Sequence, residues 1–531
     1  MPFLITDIKL PLTAPEEQAV ERALSLCRLR REQVGFARVY KRSLDARKQQ
    51  DMRFIYSVQL SLPEGEEALA RQLHSPQVRY QEPFSEMDPP KLEPLSHPPI
   101  VVGFGPAGMF CAYQLARAGL RPLVLERGCE INARAAAVEE YWRTGKLNPS
   151  ANVQFGEGGA GTFSDGKLTT RIHDPRCHWV LEQLAALGAP QEILSKAKPH
   201  IGTDQLRLVV QNLRREILRL GGEVRFQAQV QRLVLEQGKV RGVVVNGEEI
   251  SSDYVVLALG HSARDTLETL LGQGVEMIPK PFSVGVRIEH PQSLIDRGLY
   301  GKLAGHPALP PGEYQLSWRQ GNRGVYTFCM CPGGYVVPSA SQPGTVVTNG
   351  MSYHARDGKN ANAGLVVGVS PEDYGAHPLD GMRFQQTLEQ AAFVMGGETG
   401  AAPGVTVGRF LQHKTGLDLH SVQPTYALGV VPGDLDALFP PVIPAMLREG
   451  IVRMGKKLPG FDAPDSVLTA PETRTSSPVR IPRGETGMAQ GLYGLFPCGE
   501  GAGYAGGIMS AAVDGVRTAQ WVMEEIQAIR K

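Results

Sequence analysis

Six consecutive residues, Gly103-Phe104-Gly105-Pro106-Ala107-Gly108, make a G-x-G-x-x-G run, and a carboxylate, Glu126, follows 23 residues after its first glycine. The run lies between an apolar stretch entering Gly103 and an apolar-periodic stretch over about Ala107 to Arg117. A second apolar stretch, PLVLE, ends at Glu126. In a strand–turn–helix setting Gly103 permits the tight turn, Gly105 lets backbone approach a pyrophosphate, and Gly108 lets helix and strand pack closely. The unpaired N–H groups and the dipole at the helix start then face the anion. Glu126, with Arg127 beside it, stands where a carboxylate accepts from ribose hydroxyls. An acid there argues against a 2′-phosphate. The chemistry expected is the binding of a dinucleotide.

A second constellation says which kind. Phe496-Pro497-Cys498-Gly499-Glu500 follows an apolar strand, and after Gly503, Gly506 and Gly507 a helix is predicted from about Ile508. A helix N-terminus there can face the pyrimidine edge of a flavin and stabilise the anion at N1/O2 by about 0.3–2 kcal/mol. No second fingerprint of that kind appears, so a separate nicotinamide-binding domain is not evident, although nicotinamides also bind surfaces without that motif. Residues 152–171 (NVQFGEGGAGTFSDGKLTTR) hold five glycines. Such a stretch loses much chain entropy on folding unless its backbone must approach something flat or anionic. It is expected to pass the flavin, with Gln154, Gly158, Gly159, Ala160, Gly161 and Thr162 near the ring or phosphates and Lys167 a cation near N1/O2. The alternative is a plain surface loop.

Other residues carry weaker signals. Cys329-Met330-Cys331 would place both thiols on one face of a strand, as a redox pair or, more plainly, as small buried hydrophobes; Cys498 reads as structural. His354, Arg356, Glu472 and Arg474 lie in polar segments. Arg474 could fork a substrate carboxylate, whereas an ordinary salt-bridge network is the plainer reading. His173, Cys177 and His178 match no zinc spacing, and no metal site is expected. Between Glu21 and Arg53 ten Lys/Arg face four acids, a net +6. That stretch could meet RNA, an acidic partner or a nicotinamide phosphate, but a solvated face is the plainer reading. Tyr40, Phe54 and Tyr56 read as strand residues packing on a local core rather than stacking platforms.

The elements that must position these groups follow from pattern. Residues 1–80 read as strand, helix, two strands and helix, fitting a ferredoxin-like α+β sandwich. Residues 81–99, with six prolines, read as a semi-rigid linker. Residues 100–280 form the first part of a Rossmann-type domain, including an alternating three-strand stretch with turns at Gln237-Gly238 and Asn246-Gly247. Residues 281–471 read as an irregular substrate domain of short strands with one amphipathic helix near Gly381 to Met395. Residues 472–531 close the Rossmann-type domain. The fold class expected is therefore α/β, with an inserted α+β domain and a small amino-terminal α+β domain. Across 531 residues the formal charge is only +1 and charged residues are 21%, which argues against a nucleic-acid-coating protein and against a disordered chain. No run approaches a membrane span and the amino end lacks a charged leader with an apolar core. Seven scattered cysteines fit a reducing compartment, so a cytoplasmic location is expected.

The fingerprint, ALGHSARD (Ala258 to Asp265) and CGEGAGYAGGI together resemble the FAD-dependent oxidoreductases of the glutathione-reductase-like superfamily. More narrowly, NVQFGEGGAGTFSDGKLTTR, FCMCPGG, TNGMSYHARDG and PETRTSSPVR resemble a bacterial family of FAD-dependent dehydrogenases over nearly the whole chain. The resemblance implies noncovalent FAD, Val230 against adenine, and Gly260 and Glu500 lining the cofactor. The expected activity is hydride passage to or from flavin N5, with NAD(P)H a candidate donor and a small-molecule substrate. Three other readings stay open here: an FAD monooxygenase, a flavoprotein that brings RNA to its flavin, and a binding protein with structural FAD.

Overall fold

The computed structural model describes residues 3–73, 75–80 and 88–530. The amino-terminal unit runs β1 (Phe3–Pro11), α1 (Glu17–Leu26), β2 (Phe36–Asp45), β3 (Arg53–Ser61), α2 (Glu66–Gln72) and β4 (Val78–Tyr80). Its strands lie in the order β2-β3-β1-β4 with antiparallel neighbours. Alternation dictates this packing: Phe54, Tyr56, Val58 and Leu60 on β3 bury against Ala19, Ala23 and Leu24 of α1. Phe54 and Tyr56 are thus core residues, and Tyr40 sits beside His178 at a centroid distance of 5.8 Å. Three of the ten basic side chains are ion-paired locally, Arg42 with Glu16 at 3.4 Å, Arg47 with Asp45 at 2.6 Å and Arg53 with Asp51 at 2.6 Å. The Arg42 peptide also docks the unit on its neighbour, donating to Ser195 O at 2.6 Å and accepting from Ala197 N at 2.9 Å.

Of the proline-rich stretch, residues 81–87 lie outside the described residues. Residues 88–99 carry no helix or strand apart from the approach to Ile100. They run along the next unit, where Leu92 N donates to Ala118 O at 2.8 Å and Leu92 and Leu95 pack on its helical core.

The Rossmann-like domain begins with β5 (Ile100–Val102), α3 (Pro106–Arg117) and β6 (Leu123–Leu125). Next come α4 (Ile131–Thr144), α5 (Arg176–Ala186), α6 (Thr203–Arg219) and β7 (Glu223–Arg225). A meander of β8 (Val230–Glu236), β9 (Lys239–Val245) and β10 (Glu248–Ser251) leads to β11 (Val255–Leu257). The parallel sheet has the order Leu495–Pro497, β11, β5, β6, β7. Period-two packing splits it cleanly. Val101, Val124, Val256 and Phe496 face the helices, while Ile100, Val102, Leu123, Leu125, Val255 and Leu257 face the meander. Both expected meander turns are present, with φ of 48° and 75° at Gln237-Gly238 and of 51° and 83° at Asn246-Gly247. Two positive φ values in succession mark the hairpin turn whose twist suits the flanking strands. The last helix, Ile508–Arg530, crosses α3 so closely that a Cβ on Gly515 would overlap the Ala107 carbonyl.

The expectation of a mainly irregular region from 281 onward is corrected. The helix Asp380–Met395 is there, but a seven-stranded sheet organises the rest. Its order is Ser317–Gln320, Arg323–Cys331, Asn360–Val369, Phe282–Pro291, Val467–Glu472, Ala402–Thr406, Val430–Pro432. A second long helix, Val442–Gly455, covers it. The central strands Phe282–Pro291 and Asn360–Val369 are buried on both faces, so they lack the alternation by which a half-buried strand is recognised.

Candidate functional site

One cavity of about 560 Å³ opens between the parallel sheet and the seven-stranded sheet, within the size range of small-molecule and cofactor sites. Its walls come from distant stretches: Val102 to Ala107, Leu125 to Arg127, the glycine-rich segment, Ala228 to Val230, Ala258 to Ala263, Arg474 to Ser476, and Glu500 with Gly506 to Ile508. The N-termini of α3 and of Ile508–Arg530 therefore border the same space. Gly103, at φ 100°, sits so close to β11 that a Cβ would overlap the Ala258 carbonyl. Gly159, at φ 63°, brings its backbone against Gly105, where a Cβ would stand 3.0 Å from the Gly105 Cα.

Glu126 is the hinge of this arrangement. Its buried carboxylate accepts from Phe104 N at 2.8 Å, Gly128 N at 2.8 Å and Gly156 N at 2.9 Å. The acid expected to meet a ribose thus also ties the fingerprint turn to the glycine-rich segment. From the other side Arg134, fully buried, donates to the carbonyls of Asn152, Val153, Gly156, Glu157 and Gly159 at 2.6–3.3 Å. Burial pushes its guanidinium down to about 10. Sequence reasoning passed over Arg134; its one signal is an arginine within the apolar helix run INARAAAV.

Most of the residues singled out from sequence line this cavity: Gly103, Phe104, Gly105, Pro106, Ala107, Glu126, Arg127, Gln154, Gly159, Ala160, Gly161, Val230, Gly260, Glu500, Gly507 and Ile508, with Lys167, Cys329 and Arg474. Gly108, Gly158, Thr162 and Gly499 do not. A Cβ on Gly108 would overlap the Gly103 carbonyl, one on Gly158 the Thr162 hydroxyl, and one on Gly499 would lie 2.6 Å from Ala107 Cβ. These four pack the frame instead of facing the space, and Thr162 is buried with its carbonyl accepting from Thr203 at 2.7 Å. Cys331 lies buried behind Cys329, and His354 stands away, bonded to Ile201 O at 3.0 Å and stacked on His200. Tyr326, Phe328, Asn349, Thr475 and Ser476 line the cavity without having been picked out.

The charged groups are almost all committed. Arg474 and Arg264 both fork Glu389, at 3.0 and 2.8 Å. Burial opposes ionisation of Glu389, yet the Arg474 and Arg264 guanidiniums hold it down at about 2. Arg474 also donates to Ser341 Oγ at 2.5 Å and Ser262 Oγ at 3.0 Å, so it is a wall rather than a free carboxylate anchor. Arg356 pairs with Asp165 at 2.6 Å and Glu472 with Arg287 at 2.7 Å, while Lys167 reaches Glu313 at 3.2 Å. Burial, then the neighbouring Arg474 and Arg264, push His261 down to about 3. Glu500 behaves oppositely: burial pushes its carboxyl up to about 7, against a Gly507 amide bond and the Lys280 charge. No cluster of three or more metal-ligating side chains occurs among the described residues.

The lining suits an extended dinucleotide. Added Cβ atoms on Gly260, Gly506 and Gly507 would meet nothing within 4 Å, so the backbone is open to the cavity there, and two helix N-termini supply amides for phosphate or ring oxygens. Comparison with known proteins agrees. Residues 98–281 match the pyridine nucleotide-disulphide oxidoreductase family and residues 281–475 the family described as FAD-dependent protein, C-terminal domain-like. Residues 1–61 match a domain of unknown function. An uncharacterized protein of Clostridium beijerinckii is 45% identical over 99% of each chain. This chain belongs to a bacterial family of FAD-dependent oxidoreductases. It is an enzyme, and FAD is its cofactor. Solved structures similar to this family member include a glycine oxidase from Bacillus cereus, 12% identical, covering 81% of this chain and 96% of that one, with a TM-score of 0.35. An L-proline dehydrogenase from P. horikoshii is 14% identical over 82% and 94%, with a TM-score of 0.33. No described helix is long and apolar enough to cross a membrane.

Proposed function

We propose that the FAD lies along this cavity, with its diphosphate at the Gly103–Gly108 turn, its adenine toward Val230 and its ring under the N-terminus of Ile508–Arg530. The observation that carries this reading is that one continuous space touches all three places. When bound, FAD supplies the redox chemistry. The chain supplies the rest. The amides at the start of α3 bind the anion, and Glu126 and Arg134 hold the glycine-rich wall. The Arg264–Glu389–Arg474 cluster gives a rigid polar wall, and the Glu500 carboxyl can take or release a proton near neutrality.

The substrate, a small molecule, enters from the side of the seven-stranded sheet, against Tyr326, Phe328 and Asn349. A nicotinamide donor uses the same mouth. We assign the units as 1–80, 100–280 joined with 472–531, and an inserted 281–471. The strand order β2-β3-β1-β4 with two helices supports a ferredoxin-like amino-terminal sandwich. The reading is tested by anaerobic titration of the purified yellow protein with NADH, NADPH and a panel of metabolites. Bleaching of the flavin band by one of them identifies the donor. Gly105→Val should abolish the colour, because its branched side chain would project into the diphosphate site; full flavin retention refutes the placement.

A further inference from the structure

A short antiparallel ribbon, Ile278–Pro279 against Val479–Arg480, joins the Rossmann-like domain to the seven-stranded sheet. Its first strand leads into Phe282–Pro291 and its second follows Val467–Glu472. Ile278 pairs with Arg480 and Pro279 with Val479, and Lys280 N donates to Pro478 O at 2.8 Å. Alternate residues of a strand share a face. Met277 and Val479 point into the core shared with the meander. Ile278, Lys280 and Arg480 therefore stand together on the outer face, where Ile278 is 42% exposed. Lys280 and Arg480 are diagonal neighbours on it, close enough for two long side chains to serve one group.

Around the cavity, arginines are matched by acids: Arg474 and Arg264 by Glu389, Arg287 by Glu472, Arg356 by Asp165, and Arg483 by Asp514 at 2.6 Å. Lys280 and Arg480 break that pattern. Both are half-buried, and among the described residues neither is ion-paired. Lys280 reaches the Ser477 carbonyl at 3.4 Å and Arg480 the Gly503 carbonyl at 3.3 Å. Arg480 Nε is buried with no partner among the described residues, an unmade bond that costs stability. Its guanidinium is nonetheless braced over the Tyr504 ring, 5.1 Å from the centroid. Burial and then Arg480 push the Lys280 ammonium down, with Glu500 opposing them. Two adjacent cations without an acid leave room for an anion from outside.

The pair stands at the rim of the cavity, at the end assigned to the ring. Ser477 follows the wall residue Ser476, and the Glu500 carboxyl that acts on Lys280 lines the cavity itself. Gly503 packs so closely that a Cβ would lie 3.0 Å from Arg480 Cα, and the same loop continues to Gly506 and Gly507, which have open space before them. The FAD diphosphate, placed at the Gly103–Gly108 turn, leaves these cations to another anion. We propose that Lys280 and Arg480 form a phosphate site for the reactant that meets the flavin ring, a reduced nicotinamide dinucleotide or a phosphorylated metabolite, a proposal resting on the ring placement given above. The ammonium supplies a point charge and the guanidinium a planar fork, while Ile278 offers apolar surface beside them. In a nicotinamide dinucleotide one ribose separates the ring from its phosphate, so a donor stacked at the flavin brings that phosphate to the rim.

The probe is inorganic pyrophosphate, titrated calorimetrically into the flavin-loaded enzyme at low ionic strength, where surface charges are least screened. Wild type should bind it at a single site. Lys280→Gln and Arg480→Gln should each weaken binding by about tenfold or more, the loss of one hydrogen bond to a charged group. Lys280→Arg, which keeps the charge, should retain most of the affinity. A wild type that binds no pyrophosphate, or Gln variants that bind it as tightly as wild type, overturn the proposal. The source of the phosphate is read by anaerobic stopped-flow reduction with NADH, NADPH and reduced nicotinamide riboside, which carries no phosphate. For a dinucleotide ligand, the Gln variants raise its saturation constant by about tenfold and leave reduction by the riboside unchanged. Lost pyrophosphate binding with unaltered saturation constants assigns the site to a phosphorylated metabolite. The ring placement is judged separately: a Gly105→Val protein that keeps its flavin removes it, while the pyrophosphate titration still decides whether the cation pair binds phosphate.

Discussion

Replacing Glu126 by Gln isolates what this carboxylate does. One oxygen, Oε1, accepts from Gly128 N and Gly156 N, and an amide oxygen in that place keeps both bonds. The other, Oε2, accepts from Phe104 N at 2.8 Å. In Glu126→Gln an NH₂ group faces that N–H, donor against donor, at a buried site. A hydrogen bond to a charged group contributes about 1.5–3 kcal/mol and a stranded buried donor costs about 1–3; the two overlap, so about 3 kcal/mol is expected. For a domain of this size that is a fall in Tm of roughly 6–12 °C, to be measured on the apoprotein so that cofactor binding does not mask it. FAD affinity, read by fluorescence titration, should weaken by about tenfold or more, since each 1.4 kcal/mol is a factor of ten. An apoprotein Tm within about 2 °C of wild type, together with unchanged FAD affinity, would show that the fingerprint turn does not depend on this acid.

Arg134→Met should leave five buried carbonyls without their donor; a protein that is flavin-poor and readily cleaved between residues 152 and 163 is expected. Arg134→Lys should recover only part of this, because an ammonium lacks the planar fork; a Met variant with normal flavin content and protease resistance refutes the role. For Glu500 the pH sign follows from its folded pKa near 7, above the ordinary 4.5. The folded apoprotein holds a proton that the unfolded chain has released, so this group's stabilising contribution is complete below about pH 4.5 and is lost as pH rises through 7. Glu500→Gln should therefore gain stability relative to wild type at pH 8 but not at pH 4.5, read by thermal melts at both. An equal difference at the two pH values would refute the shift.

How much was legible depended on whether the signal was local. The βαβ start could be read because Gly103, Gly105, Gly108 and Glu126 lie within one short stretch and each answers to a local constraint. The same holds for the meander, whose positive-φ turn pairs fall where Asn246-Gly247 and Gln237-Gly238 announce them. The seven-stranded sheet was not legible, because Asn360–Val369 is buried throughout and its neighbours Phe282–Pro291 and Arg323–Cys331 lie tens of residues away. The ion pairs were hidden for the same reason: Arg264 meets Glu389 only when its helix packs against Asp380–Met395, and Arg287 meets Glu472 only when strands Phe282–Pro291 and Val467–Glu472 pair. Arg474, for which a salt-bridge network was the plainer reading, sits in one, but its partner Glu389 was hidden because it is distant in sequence.

The glycine-rich wall also explains why two opposite charges are buried beside a site with so little regular structure. A segment whose only regular structure is one short 3-10 turn, Ala160–Phe163, must satisfy most of its N–H and C=O groups elsewhere or lose about 1–3 kcal/mol for each one stranded. Gly156 shows the solution in one residue, its N–H given to Glu126 and its carbonyl taken by Arg134. Water could serve a surface loop equally well, but a wall lying dry against the cofactor, as proposed above, has no such recourse. An acid for the amides and an arginine for the carbonyls let the backbone approach a ligand without side chains in between. The composition of residues 152–171 therefore requires partners of both signs outside the segment, and the fold provides them from the end of β6 and from α4.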